Sequence, residues 1–173
     1  MNLAILYATK YGSTREAAEE LTRLVRERGL SEAQIGMLDL GRSPALPEAD
    51  TIVIGAPIYA GTIPKSVSRF VDANLDALLE RRVGLYLSCL YGEGRAEQQL
   101  ADNFPARLVA HSFGQYYVGG RIKLGELRWL DRVIMKRVGG VDHDVDNFNR
   151  EEIARLAKDV AGADRWELVG VAD

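Results

Sequence analysis

The chain alternates short apolar runs with longer segments in which apolar residues recur at helical spacing. The runs at 2–8, 51–55 and 83–90 contain few polar residues, which is typical of strands buried on both faces. Between the first two runs, residues 13–28 repeat apolar side chains at the period of an amphipathic helix. This alternation predicts an α/β fold in which helices cover both faces of a parallel sheet.

The same pattern predicts the bounds of the individual elements. Strands are expected at 2–8, 34–40, 51–55, 83–90 and 112–118. Helices are expected at 13–28, from Pro64 through Leu78, over much of 94–110, at 126–138, and after Asn149, which with Glu152 resembles a capping pair. The sequence contains no repeat or linker, so we expect one domain over residues 1–162 and a loosely held tail over 163–173.

Composition excludes several classes of protein. The net charge is −3, so nothing in the overall charge points to a nucleic-acid partner. The single cysteine, Cys89, rules out an internal disulfide and suits a reducing compartment. The N-terminus has no signal-peptide pattern, and no apolar run reaches the roughly 18 residues that a spanning helix needs. We therefore expect a cytoplasmic protein, with peripheral contact to the inner membrane face left open.

Polar residues are dense where the first strand passes into the first helix. Thr9, Lys10, Tyr11, Gly12, Ser13 and Thr14 follow the strand directly. A helix start presents free N–H groups and a partial positive charge, and hydroxyl groups add further donors, so the segment predicts a phosphate site. A hydroxyl-capped helix start with no ligand is the alternative. The Walker motif and the GxGxxG fingerprint are both missing, which disfavours ATP and NAD.

This segment resembles the phosphate loop of the flavodoxins. The resemblance implies a five-stranded parallel sheet of order 2-1-3-4-5 between two helical layers, and non-covalently bound FMN as the cofactor. It implies that the second loop contacts the flavin ring through Pro57, Ile58, Tyr59, Ala60 and Gly61. It implies further ring contacts from the third loop, through Ser88, Cys89, Leu90, Tyr91, Gly92 and Gly94. Packing or loop filling is the alternative role for Tyr59 and Tyr91.

A narrower resemblance lies near the C-terminal end. Residues 128–136, followed by Gly139 and Gly140, are similar to the flavodoxin-like protoporphyrinogen oxidases, as are residues 55–61. Those bacterial enzymes pass electrons from protoporphyrinogen IX to quinones through FMN. The family's long insertion looks shortened here and residues 91–111 match poorly, which weakens the inference of a porphyrin substrate more than that of a flavin.

Basic residues concentrate in this same region. Residues 121–137 carry six cationic and two acidic side chains, a net +4, which leaves −7 on the remainder of the chain. Arg128, Arg132 and Lys136 recur every four residues and so share one face of the expected helix. This face is interpreted either as a solvated stripe or as a contact for an anionic substrate or a membrane surface.

Three roles follow from these observations. The first is an FMN-dependent oxidoreductase acting on a quinone or a porphyrinogen, with no acid–base residue assigned to catalysis. The second is an electron carrier between redox proteins, and the third is a binding module that has lost FMN. The sequence does not specify the oligomeric state.

Two other chemistries are weighed against the flavin hypothesis. Cys89 and Arg95 fit the Cys-x5-Arg spacing of cysteine-dependent phosphatases, although Ser88 stands where a histidine usually precedes the cysteine. A buried strand-end cysteine is the alternative. Residues 142–146 include His143 among aspartates, but they fail as a calcium loop and are interpreted as a solvated acidic loop rather than a metal site.

Overall fold

The computed structural model describes residues 1–89, 93–122, 125, 129, 133 and 143–162. Its strands are β1 Leu3–Tyr7, β2 Ile35–Asp39, β3 Thr51–Pro57, β4 Arg82–Ser88, β5 Gly114–Tyr117, β6 Arg121–Ile122 and β7 Val145–Asp146. Its α-helices within these residues are α1 Ser13–Glu27, α2 Lys65–Leu79, α3 Glu93–Asn103, α4 Ala106–His111 and α5 Arg150–Ala161. The predicted tail over 163–173 lies outside the described residues.

Five strands form one sheet of order β2-β1-β3-β4-β5, and every pairing in it is parallel. Side chains along β1 alternate between two apolar clusters: Ala4 and Leu6 belong to one, and Leu3 and Ile5 to the other. The first cluster includes residues of α2, α3 and α4, and the second includes residues of α1 and α5. The predicted three-layer α/β fold and its strand order are confirmed.

The edge strands are less buried than the central ones. Every residue of β1, β3 and all but the first of β4 is buried, whereas β2 is half-buried and exposes Met37. A strand with neighbours on both sides and helices on both faces has no face to expose to water. This difference explains why β2 gives the weaker apolar pattern in the sequence.

The segment in which a helix is expected over much of 94–110 contains two helices. The chain forms α3 and then α4, with Pro105 standing as the residue before α4. Proline has no N–H to donate to the preceding turn, and its ring clashes with that turn, so it ends one helix and suits the start of the next. By contrast, the predicted cap of the last helix is confirmed, because the Asn149 side chain accepts a hydrogen bond of 3.2 Å from the Glu152 N–H.

Candidate functional site

The segments that follow β1, β3 and β4 meet at one edge of the sheet. Parallel strands that lie next to each other bring their carboxyl ends together, which is where ligands bind in open α/β sheets. Backbone hydrogen bonds join the segments: Ala8 N–H donates to the Gly55 carbonyl at 3.1 Å, and Ile58 N–H donates to the Ser88 carbonyl at 3.0 Å. The structure therefore places the starts of the three predicted loops side by side.

Gly12 is the residue that directly precedes α1 at the end of the first loop. Gly12 has φ 94°, in the left-handed region, and an added Cβ would meet nothing within 4 Å. Its N–H donates to Thr9 Oγ1 at 2.9 Å, which closes the loop and leaves the Thr9 hydroxyl hydrogen available as a donor. Because Gly12 has no side chain to cap the helix, the first-turn amides of α1 are left to solvent or to an anion.

The other two hydroxyls of this loop are placed differently from Thr9. Ser13 Oγ donates to the Arg121 carbonyl at 3.1 Å and accepts from the Arg121 N–H at 3.0 Å. Thr14 is 1% exposed, so its side chain lies inside the protein. Of the three hydroxyls in this segment, Thr9 is thus the one whose hydrogen remains to donate to a ligand.

A buried tyrosine holds the start of α1 against the sheet. The Tyr86 hydroxyl donates to the Thr14 carbonyl at 2.8 Å, with the ring 1% exposed. The ring crosses the neighbouring strand above Gly55, where an added Cβ would lie 1.9 Å from Tyr86 Cζ. Complete burial raises the pKa of the Tyr86 phenol above its ordinary value, because the charged form would lose its hydration.

The second loop is a tight turn after β3. Tyr59 and Thr62 exchange backbone hydrogen bonds of 2.9 and 3.0 Å, and Ala60 and Gly61 between them both have positive φ, 49° and 83°. Two successive positive φ values are typical of a type I′ turn. An added Cβ at Gly61 would meet nothing within 4 Å, so the peptide beside it is open to a ligand.

Asn103 fixes this turn from α3. Its Nδ2 donates to the Gly61 carbonyl at 3.0 Å, and its Oδ1 accepts from the Ile63 N–H at 3.0 Å. The sequence does not predict this role, since nothing local marks an asparagine near the end of a helix as the partner of a turn about 40 residues away. The two hydrogen bonds hold the second half of the turn and the residue that follows it.

Three side chains from the first two loops form an aromatic and cationic group. The rings of Tyr11 and Tyr59 meet edge to face, with centroids 6.0 Å apart and planes at 80°. The Lys10 ammonium lies 5.4 Å from each ring centroid. The structure thus brings together two aromatic faces and a positive charge beside the start of α1.

The third loop is described only in part. Ser88 is buried and donates to the Gly119 carbonyl at 2.8 Å, while Gly94 lies on the exposed start of α3. Leu90, Tyr91 and Gly92 lie outside the described residues. Cys89 is 5% exposed and packs in an apolar core cluster, whereas Arg95 is exposed. A catalytic cysteine must be reached by its substrate, so the burial of Cys89 gives the phosphatase alternative no support.

The segment after β5 contacts both the first and the third loop. Nothing in the sequence predicts these contacts. Gly119 has φ 64° and lies so close to Asn147 that an added Cβ would be 1.9 Å from the Asn147 carbonyl oxygen. Asn147 Oδ1 accepts from the Gly120 N–H at 2.8 Å, and its N–H donates to the Gly120 carbonyl at 3.1 Å. Since Ser88 and Ser13 also bond to this segment, it joins the first loop to the third.

Arg121 adds charge to this junction. Its guanidinium pairs with Glu16 of α1 and, at 2.9 Å, with Asp146 of β7. The Phe148 N–H and then the Arg121 guanidinium hold the pKa of Asp146 below its ordinary value. Arg121 thereby links the antiparallel pair β6–β7 to the first turn of α1.

The basic residues proposed for substrate or membrane contact, Arg128, Arg132 and Lys136, lie outside the described residues. Of their neighbours, Trp129 is 75% exposed and Val133 is 41% exposed. Over the part of the chain that the structure describes, no helix is long and apolar enough to cross a bilayer. Within that same part, no three His, Cys, Asp or Glu residues come together as a metal site.

Comparison with known proteins gives the family. The model of the flavodoxin domain matches residues 4–158. This chain belongs to the flavodoxin domain family. Members of the family bind a flavin, generally FMN.

Similar proteins include an enzyme and two flavodoxin-like structures. The protoporphyrinogen IX dehydrogenase [quinone] of Escherichia coli K12 is 26% identical over 93% of this chain and 95% of its own length. Two-electron reduced flavodoxin of Megasphaera elsdenii has a TM-score of 0.57 at 18% identity, covering 92% of this chain and 98% of that one. Rubredoxin oxygen:oxidoreductase of Desulfovibrio gigas reaches 0.61 at 16% identity, over 98% of this chain and 37% of that one. The structural likeness confirms the flavodoxin-like fold, and the family membership supports a redox role.

Proposed function

We propose that this protein binds FMN and uses it to transfer electrons to or from a small molecule of the quinone or porphyrinogen class. The observation that carries the proposal is the convergence of the loops after β1, β3 and β4 at the uncapped start of α1. A phosphate and a flat ring are the two parts of FMN that this arrangement suits.

The residues present fit the phosphate. Thr9 has a donor hydrogen to give, Gly12 leaves open space where a Cβ would stand, and the first-turn amides of α1 have no side-chain cap. In this proposal those groups and Lys10 hold the phosphate, while residues 57–61 and 88–94 lie against the ring. FMN would supply the chemistry of accepting and releasing electrons, and the chain would supply binding, orientation and exclusion of water.

The enzymatic role rests on the full-length relative and on charge. The E. coli protein, whose printed name gives its substrate and its acceptor, covers 93% of this chain. The net charge of −3 is mild, whereas a carrier that steers basic partners gains from a strongly acidic surface. Arg128, Arg132 and Lys136 remain the proposed contact for propionate groups or for a membrane surface.

The alternative role is an electron carrier between redox proteins. The family match over residues 4–158 favours it, because flavodoxins are non-enzymatic carriers. The two roles share the flavin site and differ in whether a small molecule is turned over.

The first experiment tests the phosphate site. Thr9→Ala should weaken FMN about tenfold or more, since a hydrogen bond to a charged group contributes about 1.5–3 kcal/mol, and should leave riboflavin affinity nearly unaltered. Thr22→Ala is the matched control, because Thr22 lies two turns further along α1 and donates only to the Ala18 carbonyl, at 2.8 Å. Both dissociation constants are measured by quenching of flavin fluorescence. Equal losses for FMN and riboflavin would refute the assignment.

The second experiment separates enzyme from carrier. Purified protein loaded with FMN is mixed under anaerobic conditions with protoporphyrinogen IX and a soluble quinone, and product formation is followed by absorbance. Saturable turnover with catalytic amounts of protein supports the enzyme. Flavin reduction and reoxidation without turnover of either small molecule would instead support the carrier.

A further inference from the structure

A carboxylate stands in the first turn of α1, close to the amides that we propose for the phosphate of FMN. It belongs to Glu16, whose N–H donates to the Gly12 carbonyl at 2.8 Å. The amides of residues 13–15 come before this bond and have no acceptor within the helix. An acidic side chain in a first turn is attracted to such amides and to the positive end of the helix. Glu16 is therefore a competitor, inside the chain, for the place of a bound phosphate.

Arg121 takes this carboxylate. Its Nη1 donates to Glu16 Oε1, although the two residues are 105 positions apart in the chain. The two side chains are 29% and 41% exposed, so solvent and salt screen this pair less than a fully exposed one. The pair cancels the charge of Glu16 and gives its oxygen a partner other than the amides of the first turn.

The guanidinium of Arg121 is fixed from its other sides. Its Nε donates to Asp146 Oδ2 at 2.9 Å, and its central carbon lies 5.0 Å from the centre of the Phe148 ring. Asp146 is itself held, because its Oδ1 accepts from the Phe148 N–H at 3.3 Å. The Arg121 backbone exchanges two hydrogen bonds with the Ser13 hydroxyl, which ties β6 to the start of α1. A guanidinium held in this manner has little freedom left to lose when it pairs with Glu16.

The start of α5 is arranged differently. There the Asn149 side chain caps the helix by accepting from the Glu152 N–H at 3.2 Å. The Glu152 carboxylate pairs at 2.7 Å with Arg155, which lies three residues further along the same helix. Residues of α5 and its own cap thus close that helix start. The start of α1 has no side-chain cap, and its acidic residue is paired with an arginine from a remote strand, which keeps the amides open.

We propose that Arg121 is a positioning residue for the phosphate of FMN and that it acts through Glu16. It holds the Glu16 carboxylate off the first-turn amides and cancels a negative charge that would repel the phosphate dianion. Arg121 needs no contact with the phosphate for this role. The inference rests on the proposed function, because it concerns the same flavin site.

The test compares Arg121→Gln, Glu16→Gln and the double variant with the wild type. Dissociation constants of FMN and of riboflavin are measured by flavin fluorescence on full-length protein freed of flavin. Arg121→Gln should weaken FMN about three- to tenfold and leave riboflavin within twofold, because riboflavin has no phosphate. Glu16→Gln should bind FMN about two- to threefold more tightly than the wild type, since the competitor is gone and Arg121 remains. The double variant should return to within twofold of the wild type.

Arg23→Gln is the matched control. Arg23 also pairs with two carboxylates, those of Glu20 and Glu27, and it lies further along the same helix. The substitution makes the same change of charge and should leave both affinities within twofold. Higher salt should narrow the difference in FMN affinity between Arg121→Gln and the wild type, because screening weakens the repulsion. Thermal melts show whether each variant is folded.

Each outcome decides a point. Equal losses of FMN and riboflavin in Arg121→Gln would mean that Arg121 only supports the fold, and would overturn the inference. A loss of FMN that persists in the double variant would mean direct contact with the phosphate, and would overturn action through Glu16. If Arg121→Gln does not fold, Glu16→Gln decides alone, and unaltered or weaker FMN binding overturns the inference. A wild type without affinity for FMN would refute the proposed function and this inference with it, whereas a wild type that binds FMN alongside an unaffected Arg121→Gln would refute the inference alone.

Discussion

Replacing Tyr86 by phenylalanine tests how the start of α1 is held. The change removes one buried hydrogen bond of 2.8 Å to the Thr14 carbonyl and keeps the ring above Gly55. The Thr14 carbonyl keeps its place in the helical hydrogen-bond ladder, so the loss is close to the net value of one hydrogen bond, about 0.5–1.5 kcal/mol. For a chain of this size, we expect the melting temperature of Tyr86→Phe to fall by about 2–4 °C.

The pH dependence of this difference makes the test sharper. Burial raises the folded-state pKa of Tyr86 above the ordinary value of 10.0. Its contribution to stability is therefore complete below pH 10 and is lost as the pH rises from there toward the folded value, since only the unfolded chain releases the proton. The loss is about 1.4 kcal/mol per pH unit in the wild type and does not occur in Tyr86→Phe. At pH 11 the wild type should be no more stable than the variant.

Unfolding in urea, followed by far-ultraviolet circular dichroism at pH 8 and pH 11, measures both free energies. The other tyrosines contribute equally to the two proteins and cancel in the difference. Tyr117→Phe at pH 8 is the matched control, because the Tyr117 hydroxyl makes only a 3.4 Å contact with Gln115. A stability gap that stays the same from pH 8 to pH 11 would refute the argument from burial. No gap at pH 8 would refute the contribution of the hydrogen bond.

Three further changes test the surroundings of the site. Gly119→Ala should destabilise the protein by about 2–3 kcal/mol or more, because the added Cβ would lie 1.9 Å from the Asn147 carbonyl oxygen at a positive φ; thermal melts measure this. Gly94→Ala, where nothing lies within 4 Å, is its control and should be neutral. Cys89→Ser should keep flavin reduction and quinone turnover within a few-fold, as measured by absorbance, because no chemistry is assigned to the buried sulfur. Asn103→Ala removes both hydrogen bonds that hold the turn at Gly61, so fluorescence titration should show FMN binding several-fold more weakly.

Different outcomes would contradict each of these. A Gly119→Ala protein as stable as the wild type would mean that the backbone moves away from Asn147 at little cost. An aryl-phosphatase activity that disappears in Cys89→Ser would revive the phosphatase alternative. Unaltered FMN affinity in Asn103→Ala would show that the turn keeps its conformation without support from α3.

Much of the fold could be predicted because its signals are local. The apolar runs that became β1, β3 and β4 are buried on both faces, so nearly every residue in them carries the signal. The break between α3 and α4 was equally local, since Pro105 was present in the sequence, and the prediction gave it too little weight. The strand order was taken from the flavodoxin resemblance, because apolar patterns alone do not say which strands lie side by side.

The site was predictable only in its first two loops. Gly12 and Tyr59 stand next to the ends of strong strands, so their place at the edge of the sheet follows from the strand pattern. The partners that hold those loops are remote in sequence: Ser13 bonds to Arg121 across 108 residues, and Asn103 bonds to Gly61 across 42. From sequence alone, a serine at a helix start is interpreted as a hydrogen-bond donor to a ligand. Only the folded chain shows that the Ser13 hydroxyl is hydrogen-bonded to another segment.

The antiparallel pair β6–β7 has a consequence for how this fold can diversify. Ile122 and Val145 face each other in the pair, so the chain that joins them begins and ends at neighbouring positions. Residues paired in this way are about 5 Å apart, so connections of different lengths can join them without changing the pairing of the two strands. The cost of closing a loop grows only slowly with its length, so an insertion between these two positions adds little to the closure entropy of the fold.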